Sequence, residues 1–113
     1  MTRNINSNFT STHATADGAN SPDMVWKVLA AVAKHAVSQH DYSSAERYLQ
    51  QSLSAASETF GADDIRLAVI LLECADLHCL RGDLKQARLL NHRAKRIIEQ
   101  HLMEESDYKM LGH

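Results

Sequence analysis

From Pro22 onward, apolar residues recur at three- and four-residue steps, a pattern that predicts four amphipathic helices. Ser21-Pro22-Asp23 reads as a helix start, with Ser as N-cap, Pro at the first helical position and Asp in the first turn. Val25, Val28, Leu29, Val32 and Ala36 then share one face, and the helix is expected to reach about Gln39. Trp26 flanks that face and is expected to cover the open end of the core. His40-Asp41 forms a turn, with Asp41 as cap of a second helix built on Ala45, Tyr48, Leu49, Ser52, Leu53 and Ala56 and closed by Phe60. Gly61 is the expected left-handed C-cap and Asp63 the cap of the third helix. That helix carries Leu67, Ala68, Ile70, Leu71, Cys74, Ala75 and His78 and stops at Arg81-Gly82. Val69, Leu72 and Leu80 make it apolar nearly all round, the pattern of a helix covered on every side. Asp83 and Gln86 have capping-box spacing for a fourth helix with Leu84, Ala87, Leu90, Ala94, Ile97 and Ile98, expected to end near Met103.

The turns repeat as well as the helices. His40-Asp41-Tyr42-Ser43-Ser44-Ala45 returns 42 residues later as Gly82-Asp83-Leu84-Lys85-Gln86-Ala87. In the same ungapped register Val32 returns as Cys74, Ala33 as Ala75, Val37 as Cys79 and Ser52 as Ala94. A fixed period of this size marks an array whose units bury their apolar faces on one another. Short connections require neighbouring helices to run antiparallel. Ala33, Ala45, Ala75, Ala87 and Ala94 supply the small side chains that let helix backbones approach.

These residues resemble tandem tetratricopeptide repeats (TPR) of the longer, kinesin-light-chain-like kind. The second unit shows Cys74-Ala75, Gly82-Asp83-Leu84, Ala87 and Ala94; the first shows Val32-Ala33, His40-Asp41-Tyr42, Ala45 and Ser52-Leu53. Phe60-Gly61-Ala62-Asp63 matches the inter-repeat segment. The resemblance implies an all-α fold: two antiparallel helical hairpins in a right-handed superhelical stack over 21–103, with repeat one at 23–60 and repeat two at 63–103. His40 stands where the family usually has Gly, so slight strain or another geometry is expected in that turn. Asn91 and Lys95 replace apolar residues, so the last helix is expected to be less buried than the pattern. Residues 1–20, poor in apolar groups, read as a disordered leader. Residues 104–113 read as a polar tail or a short capping helix through Tyr108, Met110 and Leu111.

The resemblance also implies a function, capture of a helix or peptide of a protein partner in a concave groove lined by the first helix of each repeat. Position by position that groove is Lys27, Ala30, Lys34, Val37 and Ser38 from repeat one, and Val69, Leu72, Asp76, Cys79 and Leu80 from repeat two. An apolar floor with two lysines suits a partner with apolar anchors and an acidic group. The lysine- and asparagine-rich clamp of TPRs that hold acidic chaperone tails is matched only by Lys27 and Lys34, with Asp76 where Asn would stand. The reading is thus a small adaptor or chaperone, not an enzyme. Two repeats fall short of the three or so that an isolated array needs, which implies a homodimer or a stable hetero-complex.

Composition narrows the alternatives. Twelve Lys and Arg against fourteen Asp and Glu give a formal net charge of −2, which argues against a chain dominated by nucleic-acid or anionic-membrane binding. An alternative function rests on Arg81, Lys85, Arg88, Arg93, Lys95 and Arg96, a basic surface able to touch nucleic acid or an acidic partner. The run reads as positives spread around the last helix, with no aromatic residue interleaved. No stretch is long and apolar enough to span a membrane, and Met1–Asn20 lacks the apolar middle of a secretory signal, so a cytoplasmic location is expected. Cys74 and Cys79 lie roughly 140° apart on one helix, a poor geometry for a disulfide and consistent with a reducing compartment. Cys74 and His78 have i, i+4 ligand spacing, but no second such pair accompanies them, so no metal is expected. No phosphate loop, nucleophile elbow or paired carboxylate motif points to catalysis or to a cofactor.

Overall fold

The computed structural model describes residues 21–110. The expected leader at 1–20 lies outside this range, as does Leu111. Four helices follow in order: α1 (Pro22–Ser38), α2 (Tyr42–Phe60), α3 (Ile65–Leu80) and α4 (Leu84–Met110). α1 pairs with α2 and α3 with α4, while α2 packs on α3 to join the two hairpins.

The two hairpin turns close in the same way. In the first, the His40 amide donates to the Val37 carbonyl at 2.9 Å and the Asp41 amide to the Ala36 carbonyl at 2.9 Å. In the second, the Gly82 amide donates to Cys79 at 3.0 Å and the Asp83 amide to His78 at 2.8 Å. This is the pairing of a Schellman motif, which needs a residue with positive φ. His40 meets the requirement at φ 60° and Gly82 at φ 82°, so the strained turn expected at His40 is present. Each turn then caps the next helix: the Asp41 carboxylate accepts from the Ser44 amide at 3.2 Å, and Asp83 from the Gln86 amide at 3.3 Å.

The connection between repeats departs from expectation. The cap of α3 is Asp64, not Asp63: its carboxylate accepts from the Arg66 amide at 2.9 Å and from the Arg66 guanidinium at 2.8 and 3.0 Å. The same guanidinium stacks 3.5 Å over the Phe60 ring. Asp63 is exposed and one residue too early to reach the free amides of the first turn. Gly61 has the expected positive φ of 99°, but its ψ of 161° lies outside the left-handed helical region, in extended backbone open to glycine.

The core centres on α3. Leu67, Ile70, Leu71 and Ala75 are fully buried, flanked by Leu49, Ser52 and Ala56 of α2 and by Ala94 and Ile97 of α4. Ala33, Ala45, Ala75, Ala87 and Ala94 are all buried, as close approach of the helices demands. The apolar character of α3 is not covered on every side, however: Val69, Leu72 and Leu80 are exposed.

The buried face of α1 is rotated from the one expected. Trp26, Ala33 and Ala36 enter the core, whereas Val28 and Val32 are 47% and 39% exposed. Trp26 is therefore a core residue, 8% exposed, and the Ser52 hydroxyl donates to its carbonyl at 2.7 Å. The repeat register explains the rotation. Ile70 and Cys74, equivalent to Val28 and Val32, are 0% and 8% exposed, because α2 precedes α3, while among the described residues no helix precedes α1.

α4 also exceeds expectation. It continues past Met103 to Met110 without a break, so 104–110 extends the last helix and forms no separate capping helix. Asn91 and Lys95, equivalent to buried or half-buried Leu49 and Leu53, are exposed, as their polarity requires.

Candidate partner-binding groove

α1 and α3 are the first helices of their hairpins, and a groove runs between them. Its deepest part is an apolar depression of about 140 Å³ lined by Ala30, Ala33, Lys34 and Val37 of α1, Leu49 of α2, and Glu73, Asp76, Leu77 and Leu80 of α3. A wider, shallower depression of about 500 Å³ adjoins it, lined by Trp26, Lys27, Ala30, Ala31, Lys34, His35 and Ser38 of α1 with Val69 and Glu73 of α3. Ala30 and the small residues beside it open the space, because a larger side chain on that side of α1 would reach α3.

Eight of the ten residues expected in the groove line these depressions: Lys27, Ala30, Lys34, Val37, Ser38, Val69, Asp76 and Leu80. Leu72 and Cys79 line neither. They lie roughly 80–100° around α3 from the groove centre, on the flank turned away from α1, and both are exposed. Position-by-position transfer from α1 to α3 missed this, because Leu72 and Cys79 are the repeat equivalents of Ala30 and Val37, which face the next hairpin, and among the described residues no hairpin follows α4.

Glu73 is the carboxylate among the lining residues that the sequence alone did not place in the groove. It lines both depressions, and its carboxylate stands 3.9 Å from the Lys34 ammonium. Burial pushes the Glu73 carboxyl above its ordinary range; Lys34 offsets this in part and neighbouring Asp76 adds to it. The Lys34 side chain is 79% exposed, so the pair is solvent-screened and free to exchange partners. Lys27 holds its ammonium 5.9 Å from the centre of the Trp26 ring. The groove thus presents two lysines from α1 and two carboxylates from α3 around an apolar floor. Its signal in the sequence was an acid at one turn's spacing from Val69 and Leu77, on the side of α3 nearest α1.

Beneath the groove the repeats are tied by charge. The Arg81 guanidinium bonds the Glu46 carboxylate, linking the end of α3 to the start of α2. His78 lies between Glu46, at 4.0 Å from Nε2, and Asp83, at 3.5 Å from Nδ1, the latter without hydrogen-bond geometry. This cluster joins the end of α3 to α2 at one edge of their contact, beside the buried core that packs the two helices together. Cys74 is buried and its thiol is pushed up to about 11, first by burial and then by Glu73 and Glu46. A thiol so placed stays protonated at neutral pH, which suits packing and not nucleophilic chemistry.

The basic run on α4 is more ordered than expected. Lys85, Arg88, His92, Lys95 and Arg96 fall within roughly 100° of helix surface, opposite the buried Ala87, Ala94 and Ile97; Arg93 stands apart on α4, and Arg81 lies before the helix and is paired with Glu46. The six on α4 are all exposed, and none of them forms an ion pair with a described residue. Among the described residues no three His, Cys, Asp or Glu side chains gather as a metal site, and no helix is long and apolar enough to cross a membrane.

Paired antiparallel helices closed by the same turn at 42-residue spacing, with first helices bordering a groove, define a tandem helical-repeat protein. The tetratricopeptide repeat family model matches residues 27–100, and the chain belongs to that family. Repeats of this family generally mediate protein–protein interactions. No curated protein matches the chain.

Proposed function

We propose that this chain is a small cytoplasmic, non-enzymatic adaptor or chaperone that holds a helix or peptide of a protein partner between α1 and α3. The observation that carries the reading is the apolar depression of about 140 Å³ left uncovered beside Lys27, Lys34, Glu73 and Asp76. An apolar side chain of the partner fills the depression, and an acidic group beside it meets Lys27 or displaces Glu73 from Lys34. The two-repeat stack is completed by association, as a homodimer or within a stable complex. Replacement of Lys27→Glu together with Lys34→Glu should abolish partner capture while leaving the helix content unchanged. Retained capture by that variant, at unchanged affinity, would sink the reading.

The unpaired basic face of α4 supports a second reading, a regulator that contacts nucleic acid or an acidic protein through Lys85, Arg88, Lys95 and Arg96. Its mark would be binding to generic DNA that weakens steeply with salt. Absence of any salt-dependent binding to DNA or to a polyacidic protein would remove it.

A further inference from the structure

Residues 1–20 lead directly into Ser21 and α1, the helix that forms one wall of the groove. Of Phe, Tyr and Trp this segment carries Phe9 alone; its one carboxylate is Asp17 and its one Lys or Arg is Arg3. Asp17-Gly18, with Asn20 close behind, is a turn signal immediately before the helix. A chain that reverses there runs back along α1, over the wider depression that Trp26 and Lys27 border at its near end. At about 1.5 Å per residue, Lys27 lies about 9 Å along α1 from Ser21, and the centre of the apolar depression, at Ala33 and Lys34, about 19 Å. The chain from Asp17 back to Phe9 covers up to about 26 Å when extended. Asp17 thus falls within reach of Lys27, and Phe9 reaches the depression with slack.

We infer that residues 9–17 dock in the α1–α3 groove of their own chain and must be displaced when a partner binds there. The inference rests on the reading of that groove as a capture site, and it names what guards it. The apolar depression of about 140 Å³ is the size of cavity that holds a benzene molecule, so it takes one aromatic ring. Phe9 fills it against Ala30, Ala33, Val37, Leu77 and Leu80. Charge fits the same direction. Lys27 has no ion pair with a described residue, and Asp17 meets it. Glu73 and Asp76 border the depression itself, where residues 1–16 bring no carboxylate. A partner segment with an apolar anchor and an acidic group uses these same contacts, so the two compete. The tether holds residues 9–17 at an effective concentration on the order of millimolar, so even a weak contact keeps the groove occupied. At micromolar chain concentrations the same segment of a second copy cannot match that.

The test uses the purified full chain with a photo-cross-linking residue in place of Val69, on the α3 wall of the groove. Irradiation should join it to residues 9–17 of the same chain, at a yield unchanged on dilution. The same group in place of Gln51, on the exposed side of α2, should give a much weaker link to residues 1–20. Phe9→Ser combined with Asp17→Lys should cut the Val69 link by about fivefold or more, with unchanged helix content, since both positions precede α1. In source-cell lysate the same two substitutions should raise the partner adduct from Val69 by about threefold or more. A Val69 link no stronger than that from Gln51, or indifferent to the two substitutions, would overturn the inference. So would a link that joins two chains and fades on dilution, the mark of a second copy's segment, or a partner adduct that the substitutions fail to raise. A partner adduct without any internal link would overturn the inference and leave the capture reading standing. An internal link without any partner adduct would sink the capture reading and leave the docked segment.

Discussion

His40 and Gly82 occupy the same corner of the same turn and differ only in their side chains. Gly82 has no Cβ to strain, and one added there would meet nothing within 4 Å, so its benefit is confined to the backbone. His40 carries the cost of a left-handed conformation in a residue that has a Cβ. Replacing His40→Gly should therefore stabilise the fold by about 1 kcal/mol, roughly 4–8 °C in melting temperature for a domain of this size. Gly82→Ala should lose a similar amount, read in the same thermal melts. A His40→Gly variant that melts below the wild type would show that the imidazole makes a contact outweighing the strain.

Glu73 offers a second test at this scale. Its carboxyl is pushed up by burial, so its charged form is disfavoured in the folded state. A carboxyl with a raised folded-state pKa destabilises the fold above that pKa, and the penalty vanishes below its ordinary value of 4.5. Glu73→Gln should thus melt higher than the wild type at neutral pH, and the difference should shrink to nothing as pH falls below that value. Asp41 and Asp64 behave oppositely. A hydrogen bond from Ser44 lowers the first and one from Arg66 lowers the second, so their contribution is present at neutral pH and lost as pH falls through their depressed values.

At the scale of elements, the sequence carried the helices and turns because each is set locally. Pro22 at a helix start, the Asp41 and Asp83 caps, and the positive-φ corners act within a few residues, and their spacing is visible in the chain. The face that α1 buries was not legible in the same way. Val25, Val28, Leu29 and Val32 form the stronger apolar stripe, yet Trp26, Ala33 and Ala36 face the core, because burial depends on which side the neighbouring helix occupies. Asp63 and Asp64 differ by one residue, and only the path of the chain after Gly61 decides which reaches the free amides. Glu73 escaped notice for a related reason: its equivalent in α1 is Ala31, so the repeat itself gave no hint of an acid in the groove. Close approach of α1 and α2 depends on Ala45, which is fully buried. Ala45→Leu should cost about 1–3 kcal/mol by overpacking, measurable by urea unfolding. An unchanged unfolding midpoint would mean that the hairpin can spread without loss.

For the whole molecule, two hairpins set a groove between their first helices, and α2 packs on α3 beneath an Arg81–Glu46 bond that joins the two repeats. The groove's apolar floor and mixed-charge rim are the chemistry of peptide capture in a family that generally mediates protein–protein interactions. The most direct measurement is photo-cross-linking in source-cell lysate from an unnatural residue placed at Ala30 or at Val69, on opposite walls of the groove, with Gln51 on exposed α2 as control. The same protein adduct should form from Ala30 and from Val69, none should form from Gln51, and the adduct should be lost when Lys27→Glu and Lys34→Glu are added. Adducts that are absent from both groove positions, or as strong from Gln51 as from the groove, would contradict it.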